Sequence, residues 1–286
     1  MTAIALLLVL TSAVLHATWN LLAKRVQAQT PFLFLIYVVG SLAYTPFAIA
    51  VLVIARPELG WPALIFVIVA IALQTVYFGT LTAGYRVGDL SLVYPIARAT
   101  GPLLATVGAV AIFGERPSLL ALAGALAIVT GALVLTGDPR SLRARGAASA
   151  VGFALATGVV IALYTLWDKT AVSVALIPPI VYDWMVIAGQ AVVVAPVALR
   201  RRAEVAAVWR EQRNTVLVVG IISRLSYLLM LTALAISAVS YVAPAREIGI
   251  LFGTLLGARV LAEGDTRRRA VGASAMVLGI VLLALG

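Results

Sequence analysis

Apolar residues in this chain fall neither every second position nor every three to four. They run on without interruption until a short polar or Pro/Gly-containing break stops them. Ten such runs cover roughly 2–23, 31–55, 62–85, 90–113, 117–136, 147–168, 179–199, 215–237, 240–261 and 269–285. A helix needs about 20 mostly apolar residues to cross the hydrocarbon core of a bilayer, and most of the runs are close to that length. Strands of a membrane barrel would alternate over short segments, which these runs do not. Breaks such as Arg56-Pro57-Glu58-Leu59-Gly60 and Gly114-Glu115-Arg116-Pro117 are too short to fold outside the membrane. The first run lacks the basic start of a secretory leader, so it is read as a membrane helix. The pattern predicts an all-α integral membrane protein with ten transmembrane helices.

Composition agrees with the pattern. Of 286 residues, 63% are hydrophobic and 11% charged. A soluble domain is about half apolar and a quarter charged, so the partner implied is a lipid bilayer. The net charge of +10 would suggest nucleic acid for a soluble protein, but almost no soluble surface exists to bind it. There is no cysteine, which excludes disulfides and thiolate chemistry.

The chain also repeats itself. A shift of 148 positions places Trp19 on Trp167, Pro31 on Pro179, Arg98 on Arg246 and Glu115 on Glu263. The same shift places Gly101, Gly124 and Gly131 on Gly249, Gly272 and Gly279, and one further position brings Pro95 onto Pro244. Coincidences of Trp, Arg, Glu and Pro carry more weight here than coincidences of Leu or Ala. The halves divide as 1–137, a basic linker 138–146, and 147–286, with five runs each. Five is odd, so the second half is expected upside down relative to the first. Inverted repeats place a solute site near the midplane where the halves meet.

The five-plus-five arrangement, the segment His16-Ala17-Thr18-Trp19-Asn20 with Lys24 after it, and Gly114-Glu115-Arg116-Pro117 after the fourth run resemble the drug/metabolite transporter superfamily. Within it the chain is most similar to ten-helix EamA-type exporters. A Gly-Glu pair commonly closes the fourth and ninth helices in that family; here the second half has Ala262-Glu263 instead. The resemblance implies a solute carrier whose commonest cargo is amino acids and related metabolites.

Fourteen of the 21 Lys and Arg side chains lie in gaps after odd-numbered runs, among them Arg200, Arg201, Arg202, Arg210 and Arg213. Three lie in even gaps: Arg56, Arg116 and Lys169. Positive-inside then puts the odd gaps in the cytoplasm and both termini outside. The family resemblance implies termini inside instead.

The remaining four arginines lie within the runs. A charge at mid-helix costs about 2.5–3.5 kcal/mol on insertion scales, so each requires a partner or a wet cavity. Arg259 is near a run's end and is read as snorkelling. Arg224 lies near the centre of the eighth run. Arg98 and Arg246 each follow a proline, Pro95 and Pro244, that frees a backbone carbonyl beside a break. Glu247 reads as the only acid deep in a run. It is either a structural lock on an arginine or a contact for an ammonium group or a proton, while Arg98 or Arg246 faces a carboxylate.

Ser12, His16 and Asn20 fall on one helical stripe, and Val160, Tyr164 and Asp168 on its counterpart. Trp19 and Trp167 flank the two stripes. His16 is either an interhelical hydrogen-bonding group or a titrating group in a cavity. Gln74, Tyr77, Tyr94 and Tyr227 supply amphipathic side chains for a pocket that takes apolar groups yet stays wet. Trp61, Tyr85, Tyr182 and Trp184 suit the aromatic belt at the membrane surface better. Gly249, Gly253 and Gly257, and the glycines at 124, 131, 272 and 279, mark faces for close helix packing or dimerisation.

No phosphate-binding loop, nucleophile elbow or metal-ligand cluster occurs, so neither cofactor nor metal is expected. The competing classes are an intramembrane enzyme and a receptor without flux. The expected function is alternating-access export of small metabolites, most of all amino acids. The competing cargo within the superfamily is a lipophilic or cationic drug. The expected solute-binding set is His16, Trp19, Asn20, Gln74, Tyr77, Tyr94, Arg98, Tyr164, Trp167, Arg224, Tyr227, Arg246 and Glu247.

Overall fold

The computed structural model describes residues 1–24, 26, 29–136, 147–258 and 266–286. Every regular element among them is helical. In order these are α1 (Ala3–Ala23), α2 (Gln29–Ile54), α3 (Trp61–Val87), α4 (Leu90–Phe113), α5 (Leu119–Thr136), α6 (Ala147–Lys169), α7 (Pro179–Arg200), α8 (Arg202–Ile236), α9 (Val239–Arg246), α10 (Ile248–Ala258) and α11 (Thr266–Leu285). Helices are what an apolar chain in lipid must form, since each backbone N–H and C=O is then satisfied within its own segment. Eight of the described helical segments are long and apolar enough to cross a membrane. The protein is therefore a multi-pass membrane protein.

Helix ends follow from local chemistry. The Thr2 hydroxyl accepts from Ala5 N at 3.2 Å and starts α1, and Ser118 Oγ does the same for Ala121 N at 3.0 Å ahead of α5. Gly114 adopts φ 64° and stops α4, a left-handed conformation that glycine takes without steric cost. Beyond Lys169, α6 widens into a π-turn at Thr170–Val174.

Two sequence expectations need correction. The run expected to span 240–261 is not one continuous helix: α9 ends at Arg246 and α10 begins at Ile248, with Glu247 at the break. Residues 259–265, including Arg259 and Glu263, and the basic linker at 138–146 lie outside the described residues. The second correction concerns the basic gap before the eighth run, which is helical rather than a loop. α8 starts at Arg202 and bends at Gln212 (φ −125°). Its first turns are amphipathic: Arg202, Glu204 and Arg210 are exposed, whereas Val208 is buried against Phe32, Ile36, Ile187 and Val216. Charge density marked a gap, but one apolar face was enough to fold it.

Packing is closest between α5 and α11. A Cβ on Gly124 would lie 2.7 Å from Gly279 O, and one on Gly131 would lie 2.7 Å from Gly272 O. The reciprocal approaches, Gly279 to Gly124 O and Gly272 to Gly131 O, are 2.6 and 2.9 Å. These four glycines are thus consumed within the chain, where they let two backbones touch. Gly249 rests against Ala13, while Gly253 has nothing within 4 Å of its Cβ direction, so that stripe is only partly used. Elsewhere α1 packs on α8 and α10, α6 on α3 and α4, and α2 on α7 and α8.

Candidate functional site

The buried charges cluster between one proline-containing helix and one interrupted helix. α4 contains Pro95 and Pro102, and Pro244 precedes the α9–α10 break. Arg98 of α4 and Glu247 at the α9–α10 break meet with Nε 2.8 Å from Oε2, their side chains 6% and 2% exposed. Charges so deeply buried are tolerable only when paired. The Nε–H does not point along the contact well enough to count as a hydrogen bond, so the two charges are close but not locked in an aligned fork. The Arg98 guanidinium also sits 5.9 Å from the centre of the Tyr94 ring, at the outer range of a cation–π contact.

Around this pair lie further polar groups. Arg246 Nη1 donates a long hydrogen bond of 3.5 Å to Tyr164 OH, and Tyr164 meets the Tyr77 ring edge-on at 5.9 Å. His16 is half-buried, within electrostatic range of Arg246 and Arg98, and meets Trp19 edge-on at 5.1 Å. Pro102, Ile161, Thr165, Met230, Ala243, Arg246 and Glu247 line a cavity with room for about one water molecule.

A second polar cluster lies toward the end of α6. Tyr182 OH donates to Asp168 Oδ1 at 2.8 Å, and Tyr227 OH donates to Asp168 Oδ2. Gln74 Nε2 donates to Tyr227 OH at 3.2 Å, and Gln190 Nε2 donates to Gln74 Oε1 at 2.6 Å. One hydrogen-bonded chain thus joins α6, α8, α3 and α7. Beside it, Arg224 Nη1 contacts Asp183 Oδ1 at 3.3 Å and its guanidinium lies 5.6 Å from the Tyr227 ring centre. Gly40 makes this possible, because a Cβ there would come within 2.8 Å of Arg224 Cγ.

The expected solute-binding residues therefore separate. Arg98, Glu247, Arg246, Tyr94, Tyr164, Tyr77 and His16 are brought to the centre. Gln74, Tyr227 and Arg224 belong to the neighbouring polar cluster. Trp167 donates its Nε1 to Phe66 O at 2.9 Å and stacks on Phe66 at 4.8 Å, so its polar edge is already used in packing. Trp19 packs on the Phe32–Ile36 cluster. Asn20 is exposed and turns its amide back onto His16 O of its own helix at 2.7 Å.

Glu247 is not the only deeply buried acid: Asp168 and Asp183 are each 2% exposed. Both lie close to the ends of apolar runs. Tyr182, expected in the membrane-surface belt, is fully buried because its hydroxyl serves Asp168. Gln190 escaped notice for a related reason, since a lone amide in an apolar run gives no sign of which helix it meets. Trp61, by contrast, is 74% exposed.

In a multi-pass helical bundle, buried charges that meet beside a helix break mark a candidate solute or ion site. Residues 3–137 match the model of the EamA-like transporter family, and that match shows, over the first half of the chain, the family resemblance read from the sequence. The match makes that half similar to the EamA-like transporter family and leaves the cargo open. No curated protein matches the chain. Among solved structures, one described only as the crystal structure of a protein superposes with a TM-score of 0.72. It covers 100% of this chain and 98% of that chain at 19% identity, a likeness that shows the fold alone.

Proposed function

We propose that this protein is a ten-span carrier of two inverted five-helix repeats, in a bacterial inner membrane, exporting small zwitterionic metabolites, above all amino acids, by alternating access. Packing supports the inverted arrangement. Under the 148-residue correspondence, α1 on α8 is matched by α6 on α3, and α4 on α6 by α9 and α10 on α1. Gly124 meets Gly279 and Gly131 meets Gly272, so each partner is the counterpart of the other's. That reciprocity is what a two-fold relation between halves produces.

The observation that carries the cargo class is the Arg98–Glu247 pair. The two buried charges lie 2.8 Å apart and neutralise each other. A zwitterion brings its own carboxylate for Arg98 and its own ammonium for Glu247, so it can part the pair without leaving either charge bare. Tyr77, Tyr94 and Tyr164 then receive the side chain on ring faces and edges. A single cation satisfies only Glu247 and strands Arg98. Asp168, with no basic side chain among its hydrogen-bond partners, is the one feature favouring a cationic drug instead.

Purified protein in liposomes, loaded with unlabelled amino acids, should give counterflow of labelled ones, and Glu247→Gln should abolish it. Saturable exchange of lipophilic cations with none of any amino acid would overturn the cargo class. Absence of flux for every solute tried would overturn transport itself.

A further inference from the structure

We propose that Asp168 is the site that binds the coupling proton, and that the Tyr227–Gln74–Gln190 chain reverses its hydrogen-bond direction when the proton arrives. The inference rests on the transport reading above and names the ion that drives it.

In the conformation seen, every bond in the chain points toward the carboxylate. Gln190 donates to Gln74, Gln74 to Tyr227, and Tyr227 to Asp168, while Tyr182 fills the other oxygen. An ionised carboxylate accepts only, so this direction suits it. The cost appears at the far end, where Gln190 Oε1 is buried and has no partner.

Protonation inverts the requirement. A proton taken from water forms an O–H bond at Oδ2, and that oxygen must now donate to Tyr227. No bond to Tyr227's own proton breaks; its hydroxyl turns about the C–O axis and donates to Gln74 instead. Gln74 accommodates this by turning its amide, so that Oε1 accepts from Tyr227 and Nε2 points to Gln190. Gln190 turns in the same way, and its formerly unpartnered Oε1 accepts. The same four side chains thus support two opposite directions. The forward one holds the negative charge and strands Gln190 Oε1; the reversed one gives that oxygen a partner and leaves Gln190 Nε2 without one in the chain. A two-direction chain spanning α6, α8, α3 and α7 connects the proton to the packing of both halves.

The surrounding charges are accounted for. Arg246 of α9 and Asp183 of α7 act on Asp168 electrostatically from further off, and Asp183 is taken by Arg224. From α4, Arg98 is taken by Glu247. On α6 itself, Lys169 is bound to Leu234 O and Ser237 O, and Tyr164 receives Arg246. Among the described residues, no basic side chain lies within 4.0 Å of Asp168 as an ion-pair partner. Its charge can therefore be discharged by a proton without breaking a salt bridge.

Two measurements test this. In proteoliposomes without a membrane potential, a gradient of about one pH unit should sustain up to about tenfold solute accumulation, the limit for one proton per solute. Asp168→Asn should hold no accumulation, and the exchange it still performs should no longer vary with pH. Gradient-driven accumulation by Asp168→Asn, or a wild type that exchanges solute but ignores the gradient, overturns the proton site while leaving transport intact. The second measurement needs neither flux nor a folded Asp168 variant. Infrared difference spectra of the wild-type protein on acidification should show a carboxylic-acid C=O band that shifts when aspartate is carbon-13 labelled. The band and its shift should survive in Asp183→Asn and Glu247→Gln. No such band, or its loss in Asp183→Asn, overturns the assignment.

Discussion

The stripe Ser12–His16–Asn20 on α1 and its counterpart Val160–Tyr164–Asp168 on α6 begin alike and end differently. Ser12 and Val160 are both buried. One turn on, His16 is half-buried while Tyr164 is buried; at the last turn Asn20 is exposed and Asp168 is 2% exposed. The two stripes therefore match in burial at their first position and differ at their last.

The ends of α6 and α8 are held down by ionic clasps. Lys169 Nζ donates to Leu234 O at 2.7 Å and to Ser237 O at 3.0 Å, satisfying carbonyls left over at the end of α8. Across the α8–α9 link, the Glu115 carboxylate accepts from Val239 N at 2.7 Å and Ser240 N at 2.9 Å. A negative group at a helix N-terminus is favourable through both hydrogen bonds and the helix dipole. Tyr241 OH adds a bond to Gly286 O at 3.1 Å. Lys169 has Leu21 as its counterpart in the first half, so the clasp cannot recur there in the same form. The lesson is that, among the described residues, helix ends matched by the 148-position shift differ in burial and in partners. The Lys169 end of α6 is pinned by the Lys169 and Glu115 contacts, whereas Asn20 at the matching end of α1 is exposed.

Substitutions can break this contrast at graded strengths. The largest effect is expected from Glu247→Ala, which leaves Arg98 as an unpaired buried charge and costs about 3–5 kcal/mol; thermal unfolding in detergent would read it. Glu115→Ala should follow. It removes two charge-assisted bonds from the start of α9, worth about 1–2 kcal/mol by analogy with helix caps, and should loosen the α8–α9 link as seen in faster hydrogen exchange at Val239 and Ser240. Lys169→Met should loosen the same link less, because the carbonyls it frees lie near a helix end that water can reach. The smallest change is expected from Asn20→Ala. Its amide bonds only within its own helix, so stability should move by under about 0.5 kcal/mol.

Much of this was visible in the residues. Apart from the start of α8 and the α9–α10 break, the apolar runs located the helices to within a few positions, and the shift of 148 singled out Arg98, Arg246 and the prolines before them. Glu247 stood out because nothing apolar explains an acid there. Partners across helices were less legible. In lipid, a residue facing a neighbouring helix and one facing acyl chains are both apolar, so composition does not say which face of a run is inside. Asp183 therefore gave no hint of Arg224, which lies 41 positions later, and Gln190 none of Gln74. The helical start of α8 was masked by its arginines, which lie on one face of a helix whose other face packs through Val208.

The contrast between the two stripes is also the most direct way to test transport. The protein has no cysteine, so a single thiol can be placed without background. His16→Cys, in the middle of α1, should react with a membrane-impermeant maleimide supplied on the Asn20 face alone. Saturating solute should shift that reactivity toward the Lys169 face. Labelling of the solute-free protein from the Lys169 face, or from neither face, would contradict a central site open to one side at a time.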